Sequence, residues 1–347
     1  MRTLENFING QCRAAADTAR QPDINPADTT EIVAESPRST AADAAAAVKA
    51  AERAYLGWRA TPAPQRGQLL YRVQRRMEAR RDELAEALTR EEGKTLAESK
   101  GEVQRAINVV EFYAGEGRRL LGETIPSELP YNFCYTVREP IGPLALITPW
   151  NFPVAIPVWK LAPALACGNT VVLKPASLTP LSVALLADIF TECDAPPGIL
   201  NVVYGSGRDV GEALLAHPAI RGVSFTGSND IGSRLYGAGA ARGIKCQCEM
   251  GGKNPIVVLD DADLELAVAS AAQGAGALRL APMTVAGPVP QGATVARTLA
   301  APVSPAPATM QPMVSQMPWR ARVRATVDSV IAVSAAHRAR VPATVMS

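Results

Sequence analysis

Hydrophobic positions along the first third of the chain follow a helical period, interrupted at a few places by turn residues. Residues 5–12 read as a short strand folded at Asn9-Gly10, a pair suited to a two-residue hairpin turn. Asn25, Pro26, Ala27 and Asp28 give a second turn signal. Ser39 and Thr40 open an alanine-rich run that predicts a helix to about Trp58, with Asp43 three residues after Thr40 in capping-box register. Pro62 and Pro64 break that helix. The next, over 65–79, places Leu69, Leu70, Val73 and Met77 at helical spacing. Further helices are predicted over 81–92, where Gly93 supplies a stop, and over 98–121.

At about residue 122 the period changes. Residues 132–138 read as a strand, and short apolar runs follow at 144–147, 170–173, 200–203, 222–225 and 255–259. Helical runs alternate with them at 154–166, 179–192, 208–216, 230–241 and 263–273. Strands alternating with helices predict βαβ units, hence an α/β fold with a doubly wound parallel sheet behind a helical N-terminal segment. Such sheets bind ligands outside the carboxyl ends of their strands. No apolar stretch reaches the ~18 residues of a membrane span, and the first residues carry no signal-peptide core, so a cytoplasmic protein is expected.

Beyond about Gly274 the period is lost. Residues 275–347 hold 17 Ala, 11 Val and 9 Pro with no Phe, Tyr, Lys or Glu, and read as a disordered tail. Charge divides at the same place: the whole chain carries a formal +2, residues 1–274 carry −4 and the tail +6. The total gives no reason to expect nucleic acid or an anionic membrane as partner. Cys12, Cys134, Cys167, Cys193, Cys246 and Cys248 match neither a zinc site nor a disulfide framework, so no metal is expected and the thiols read as reduced.

Four clusters punctuate the alternating half. Pro149-Trp150-Asn151-Phe152-Pro153 follows its first strand, and Leu173-Lys174-Pro175-Ala176-Ser177 the next. Phe225-Thr226-Gly227-Ser228 follows the 222–225 run, with Gly232 five residues beyond Gly227. Glu249-Met250-Gly251-Gly252-Lys253-Asn254-Pro255 precedes the 255–259 run. In this order, and with the turns at Asn9-Gly10 and Asn25–Asp28, the clusters resemble the aldehyde dehydrogenase superfamily over about residues 7–274. The last cluster resembles the semialdehyde branch, such as succinic or 2-oxoglutaric semialdehyde dehydrogenases.

The resemblance implies NAD(P)-dependent oxidation of a small aldehyde through a cysteine thiohemiacetal. That chemistry needs a thiolate, a donor to the oxyanion, a fixed nicotinamide and a base that activates water. By resemblance Asn151 is the oxyanion donor, since an amide donates without titrating; the plain alternative is a turn former. Glu249 is the general base, or otherwise a surface carboxylate. Lys174 and Ser177 face the adenine ribose. NAD-preferring relatives often hold Glu in the place of Ser177, so the expected cofactor is NADP or NAD; the alternative for Lys174 is a solvated side chain. Gly227, Ser228 and Gly232 set a helix N-terminus against the pyrophosphate. Ile147, Pro149, Trp150, Ala176, Phe225, Ile231 and Gly251 complete the implied cofactor contacts. Gly205, Gly207 and Gly211 match the family's second glycine turn or an ordinary strand-to-helix loop. Ile156 and Trp159 match tunnel positions or the buried face of a helix. Cys167 reads as a core thiol and Cys248 as unactivated.

The nucleophile is missing from this set. The family spacing from Glu249 lands on Met283, and no cysteine follows Cys248. A thioether forms no thiolate, so the chain as written is expected not to turn over. The tail's Ala, Arg, Pro, Val and Gly all have GC-rich codons, the composition expected of a gene read in the wrong frame from about Gly274. Another frame is then expected to encode a cysteine near codon 283. The expected partition is 1–121 for an N-terminal strand and helical segment, 122–143 for an oligomerisation hairpin and 144–253 for the NAD(P)-binding core. Residues 254–274 would begin an incomplete catalytic domain, and 275–347 form the aberrant tail. The expected partners are a small aldehyde and further copies of the chain. The function follows as an inactive dehydrogenase, an NADP-binding module, or a remnant that does not fold.

Overall fold

The computed structural model describes residues 1–252, 258–259 and 261–277. They belong to two compact units, Met1–Gly251 and one that begins at Gly252. The first unit opens with β1 (Arg2–Thr3), β2 (Asn6–Ile8), β3 (Gln11–Arg13), β4 (Arg20–Ile24) and β5 (Ile32–Pro37). Asn9 and Gly10 take φ of 56° and 77°, so β2 and β3 close on the predicted hairpin turn. β1, β5 and β4 make a separate three-stranded sheet that the sequence did not foretell. Its turn is the predicted one: Asn25 Oδ1 accepts from the Ala27 N–H at 2.9 Å.

Four helices follow: α1 (Ala41–Ala60), α2 (Ala63–Ala79), α3 (Arg81–Glu92) and α4 (Leu96–Glu116). Thr40 and Asp43 cap α1 reciprocally, and Thr95 and Glu98 cap α4 in the same way. Gly93 ends α3 with φ of 85°. α4 stops at Glu116 rather than at residue 121, because Gly117 passes the backbone of α2 too closely for a further regular turn with side chains. The predicted 132–138 strand shrinks to β7 (Cys134–Tyr135), paired among the described residues only with β6 (Thr124–Ile125). Both are exposed, and with no buried face the pairing ends after two residues.

The alternating half then runs β8 (Leu144–Ile147), α5 (Ala155–Ala166), β9 (Val171–Lys174), α6 (Leu181–Glu192) and β10 (Leu200–Val202). A π-type turn, Gly207–Gly211, leads into α7 (Glu212–Ala216), followed by β11 (Gly222–Gly227) and α8 (Asn229–Ala241). One more strand, β12 (Lys245–Met250), was not expected. The sheet order is β12-β11-β8-β9-β10-β2-β3. The first five strands are parallel, and the N-terminal hairpin extends the sheet antiparallel through Val202 and Phe7. Strand alternation buries both faces. Ala145, Ile147 and Val172 join α1, α7 and α8 in one apolar cluster. Leu146, Val171 and Leu173 join α2 to α6 in the other.

In the second unit, α9 (Leu264–Ala277) starts where Asp263 Oδ1 accepts from the Leu266 N–H at 3.0 Å. Most of the predicted 255–259 strand and nearly all of the 275–347 tail, Met283 included, lie outside the described residues. No described helix is long and apolar enough to cross a membrane.

Candidate cofactor and active site

Chain order leaves β8 in both directions, toward β9 and β10 on one side and toward β11 and β12 on the other. The boundary between β8 and β11 is therefore the switch point of the sheet, the place outside the carboxyl ends where sheets of this kind bind ligands. The four clusters all lie at that edge, after Ile147, after Lys174, after Phe225 and at Glu249. Pro149 and Trp150 are half-buried there, and the Thr148 hydroxyl is buried without a partner among the described residues.

The turn that carries Asn151 is held from the start of α4 and the loop just before it. Lys94 Nζ donates to the Asn151 carbonyl at 2.9 Å and stands 4.4 Å from the centroid of the Phe152 ring. Lys94 also pairs with Glu102 at 2.6 Å. Glu102 Oε1 accepts from the Val154 and Ala155 N–H groups at 3.0 Å each. α5 has no cap from its own N-cap side chain, so this carboxylate satisfies its first donors and its dipole. The backbone at Asn151 is thus fixed, while its half-buried side-chain amide makes no hydrogen bond among the described residues.

Lys174 is 5% exposed, which excludes the solvated alternative. Its Nζ donates to the carbonyls of Pro175 at 2.6 Å and Gly205 at 3.0 Å. Ser177 Oγ donates to the same Gly205 carbonyl at 3.2 Å. Burial pushes the Lys174 ammonium down to about 8. A Cβ on Gly211 would meet Ile147 Cδ1 at 3.7 Å and Lys174 Cδ at 3.9 Å, so the glycine turn, β8 and β9 converge. Gly207 faces open space, and Ala176 is half-buried in the turn between Lys174 and Ser177.

At β11, Ser228 precedes α8 without a side-chain cap, and among the described residues the first N–H groups of that helix have no side-chain partner. A Cβ on Gly227 would lie 2.5 Å from Phe225 Cζ, and one on Gly232 2.6 Å from Met250 Cγ. Glycine at both places lets Phe225 and Met250 close beneath the helix. Gly251 N–H donates to the Gly227 carbonyl at 3.0 Å, which joins the third and fourth clusters. Ile231 is exposed in the first turn of α8.

Glu249 sits on β12 itself and not in a turn after it. Alternation sends Cys246 and Cys248 toward α8, where Cys248 Sγ lies 3.7 Å from the Gly232 carbonyl. Gln247 and Glu249 take the other face. Gln247 Nε2 donates to Glu249 Oε1 at 3.2 Å, and Thr226 Oγ1 donates to Oε2 at 3.4 Å. Ser224 contacts Gln247 and accepts from Lys160 Nζ on α5 at 2.7 Å. Burial pushes Lys160 down, and Glu249 and Cys248 offset part of that shift. Lys160 and Glu102 on their helices, and Lys94 in the loop before α4, were missed in the sequence because an isolated polar residue carries no motif.

The structure activates none of these thiols: burial pushes Cys167, Cys193, Cys246 and Cys248 upward. Ile156 is 5% exposed within α5. Trp159 is half-buried beneath Arg105, whose guanidinium carbon is 5.3 Å from the ring centroid.

Comparison with known proteins identifies the pattern. The profile of the Aldehyde dehydrogenase family matches residues 13–278. Alpha-ketoglutaric semialdehyde dehydrogenase of Bacillus subtilis (strain 168) is 47% identical over 273 residues, 79% of this chain and 56% of that protein. Malonate-semialdehyde dehydrogenase of Bacillus pumilus (strain SAFR-032) is 40% identical over 264 residues, 76% of this chain and 54% of that protein. The crystal structure of an E. coli NADP-dependent enzyme superimposes with a TM-score of 0.77 at 39% identity, covering 82% of this chain and 60% of that one. The chain thus spans about half the length of the curated relatives it matches.

Proposed function

Because the chain belongs to the aldehyde dehydrogenase family, we propose that its first unit is the cofactor half of an NAD(P)-dependent semialdehyde dehydrogenase, able to hold NADP or NAD. The observation that carries this is Lys174, buried at the end of β9 between the glycine turn and Ser177 with only carbonyls for partners among the described residues. A buried ammonium with neutral acceptors is a poor resting state and a good host for an anion. Lys174 and Ser177 would take the ribose or its 2′-phosphate, and the uncapped start of α8 the pyrophosphate. The cofactor, when bound, supplies the hydride acceptor. Asn151 would donate its free amide to the developing oxyanion, on a backbone held by Lys94. Glu249 would be the base, its oxygens oriented by Gln247 and Thr226.

The test is NADP binding by equilibrium dialysis or calorimetry. Wild type is expected to bind, and Lys174→Met to lose about ten- to a hundredfold in affinity, the worth of a charge-assisted hydrogen bond. Unchanged affinity in Lys174→Met would refute the assignment. pH gives an independent check. Lys174 titrates near 8 in the free protein against 10.5 unfolded, so the folded state disfavours its charge. That penalty is fully present below about pH 8 and vanishes as pH rises through 10.5. Lys174→Met is therefore expected to be at least as stable as wild type at pH 7. A bound phosphate raises the lysine again, so above pH 8 binding takes up a proton and weakens with rising pH.

Met283 in place of a thiol leaves the acyl step without a nucleophile, so the chain is expected to bind cofactor and not reduce it. Cofactor reduction above background with a panel of aldehydes would overturn that. Residues 122–143 would be the surface for a second copy: Leu129, Tyr131, Phe133 and Tyr135 all project from it exposed. Sedimentation should give a discrete oligomer; a polydisperse aggregate would favour the remnant that does not fold.

A further inference from the structure

Asp23 is the one buried residue of β4, 2% exposed in a strand whose other positions reach solvent. Pairing with β5 shifts register between Asp23 and Ile24, an irregularity of the kind that re-aims a side chain. Neither carboxylate oxygen of Asp23 finds a hydrogen-bond donor among the described residues. The group it faces is a second acid, Glu91 in the last turn of α3, itself 3% exposed. Glu91 is differently placed. Its two oxygens accept from the Leu181 and Ser182 N–H groups at 2.8 and 3.0 Å. α6 has no side-chain cap of its own at Pro180, so Glu91 supplies one from another helix.

Two carboxylates buried together do not both stay ionised unless a positive charge joins them. Among the described residues no basic side chain pairs with either one. The charges around them are matched elsewhere: Arg20 with Glu5, Arg90 with Glu31, Lys94 with Glu102 and Glu92, and Arg2 with Asp188 on α6. Tyr204, which also feels Glu91, is buried, and burial pushes its phenol upward and keeps it neutral. We propose that Asp23 and Glu91 share one proton, carried by Asp23 and donated to Glu91, and that this proton clasps β4 to the joint of α3 and α6 until the pH rises through neutrality. Glu91 keeps the negative charge because its oxygens already take two N–H groups and the dipole of α6. Burial pushes the Asp23 carboxyl up to about 7, and burial followed by the charge of Asp23 pushes Glu91 up as well. The clasp lies between the two turns described above. Gln21, two residues before Asp23, donates from Nε2 to the Ser177 carbonyl at 3.5 Å, and Lys94, three residues after Glu91, holds the Asn151 carbonyl. Loss of the proton therefore strains the elements that carry both.

The folded state holds this proton more tightly than the unfolded chain, where an aspartate titrates near its ordinary 3.8. The stabilisation is whole below about 3.8 and is lost as the pH rises to about 7. Urea unfolding of the full chain, followed by tryptophan fluorescence from about pH 5 to 8, reads it. Between about pH 5 and 7 the wild-type unfolding constant, relative to that of Asp23→Asn, is expected to rise about tenfold per pH unit, the slope of one proton. Asn keeps the shape and offers Glu91 a permanent N–H in place of the proton. Asp23→Asn should thus come close to wild type at the acid end and exceed it in stability at the alkaline end. Glu91→Gln should lower the midpoint at every pH, since a single amide oxygen is left to accept from α6. A ratio that does not change with pH overturns the proposal. So does a slope that KCl abolishes when it replaces tetramethylammonium chloride at equal ionic strength, because a cation then stands where the proton is assigned. Wild type alone decides the matter even if Asp23→Asn does not fold. Unfolded by urea in unbuffered solution near pH 6, it should release about one proton per chain, and no release overturns the assignment.

Discussion

Glu102→Ala is expected to lower the stability of the first unit by about 3–5 kcal/mol, the range seen when one partner of a buried ion pair is removed. The Glu102 side chain is 1% exposed and that of Lys94 12%, so truncation leaves a poorly solvated ammonium with its longer pairing to Glu92, at 3.7 Å, in place of the 2.6 Å one. It also strips the Val154 and Ala155 N–H groups of their acceptor at the start of α5. Lys94→Met should cost less, because Glu102 keeps both backbone donors and the helix dipole. The two sites share one network, so a double-mutant cycle in urea should return a coupling of roughly 0.5–3 kcal/mol. A Glu102→Ala midpoint equal to wild type, or strictly additive effects, would show that the link between α4 and the Asn151 turn is not structural.

Gly67→Val is expected to cost about 3 kcal/mol, the upper part of the overpacking range. Any Cβ at Gly67 is driven into the Ala114 carbonyl of α4, and one at Gly117 would lie 2.6 Å from the Ala63 carbonyl of α2. Here backbone meets backbone, so no side chain can yield. Gly101, also helical, is exposed and has open space where its Cβ would be. Gly101→Ala should therefore raise stability by about 0.5–1 kcal/mol through helix propensity. Opposite signs for two glycine substitutions in neighbouring helices, read as shifts of the thermal midpoint, form the check. Two shifts of the same sign would contradict the crossing geometry.

Much of the scaffold was legible where the sequence uses local chemistry. Asn9-Gly10, Thr40 with Asp43, and Gly93 each impose a backbone solution that needs no tertiary partner. The apolar strands β8 to β11 were legible because burial on both faces demands an unbroken hydrophobic run. β12 was not: Lys245, Gln247 and Glu249 alternate with Cys246 and Cys248 in a strand with one partner among the described residues, and its polar half reads as loop. Residues 132–138 failed in the other sense, since apolar and aromatic content promised a strand that has too little to pair with. The clusters fall at the carboxyl edge of the sheet, but the sequence left the burial of Lys174 undecided. Lys94, Glu102 and Lys160 escaped because what distinguishes them is the distant group each one reaches.

The seven-stranded sheet also fixes an order of events in time. Phe7 pairs with Val202, and Asn6 Oδ1 accepts from the Tyr204 N–H at 3.1 Å, although nearly the whole unit separates them along the chain. Helices α1 to α4 assemble largely from neighbours in sequence, whereas the β2–β3 edge must wait for β10. On a ribosome the β2–β3 hairpin is made long before β10 and is among the last elements to find its place. Its closure carries the loop entropy of the intervening chain, which places this step among the slow ones of folding.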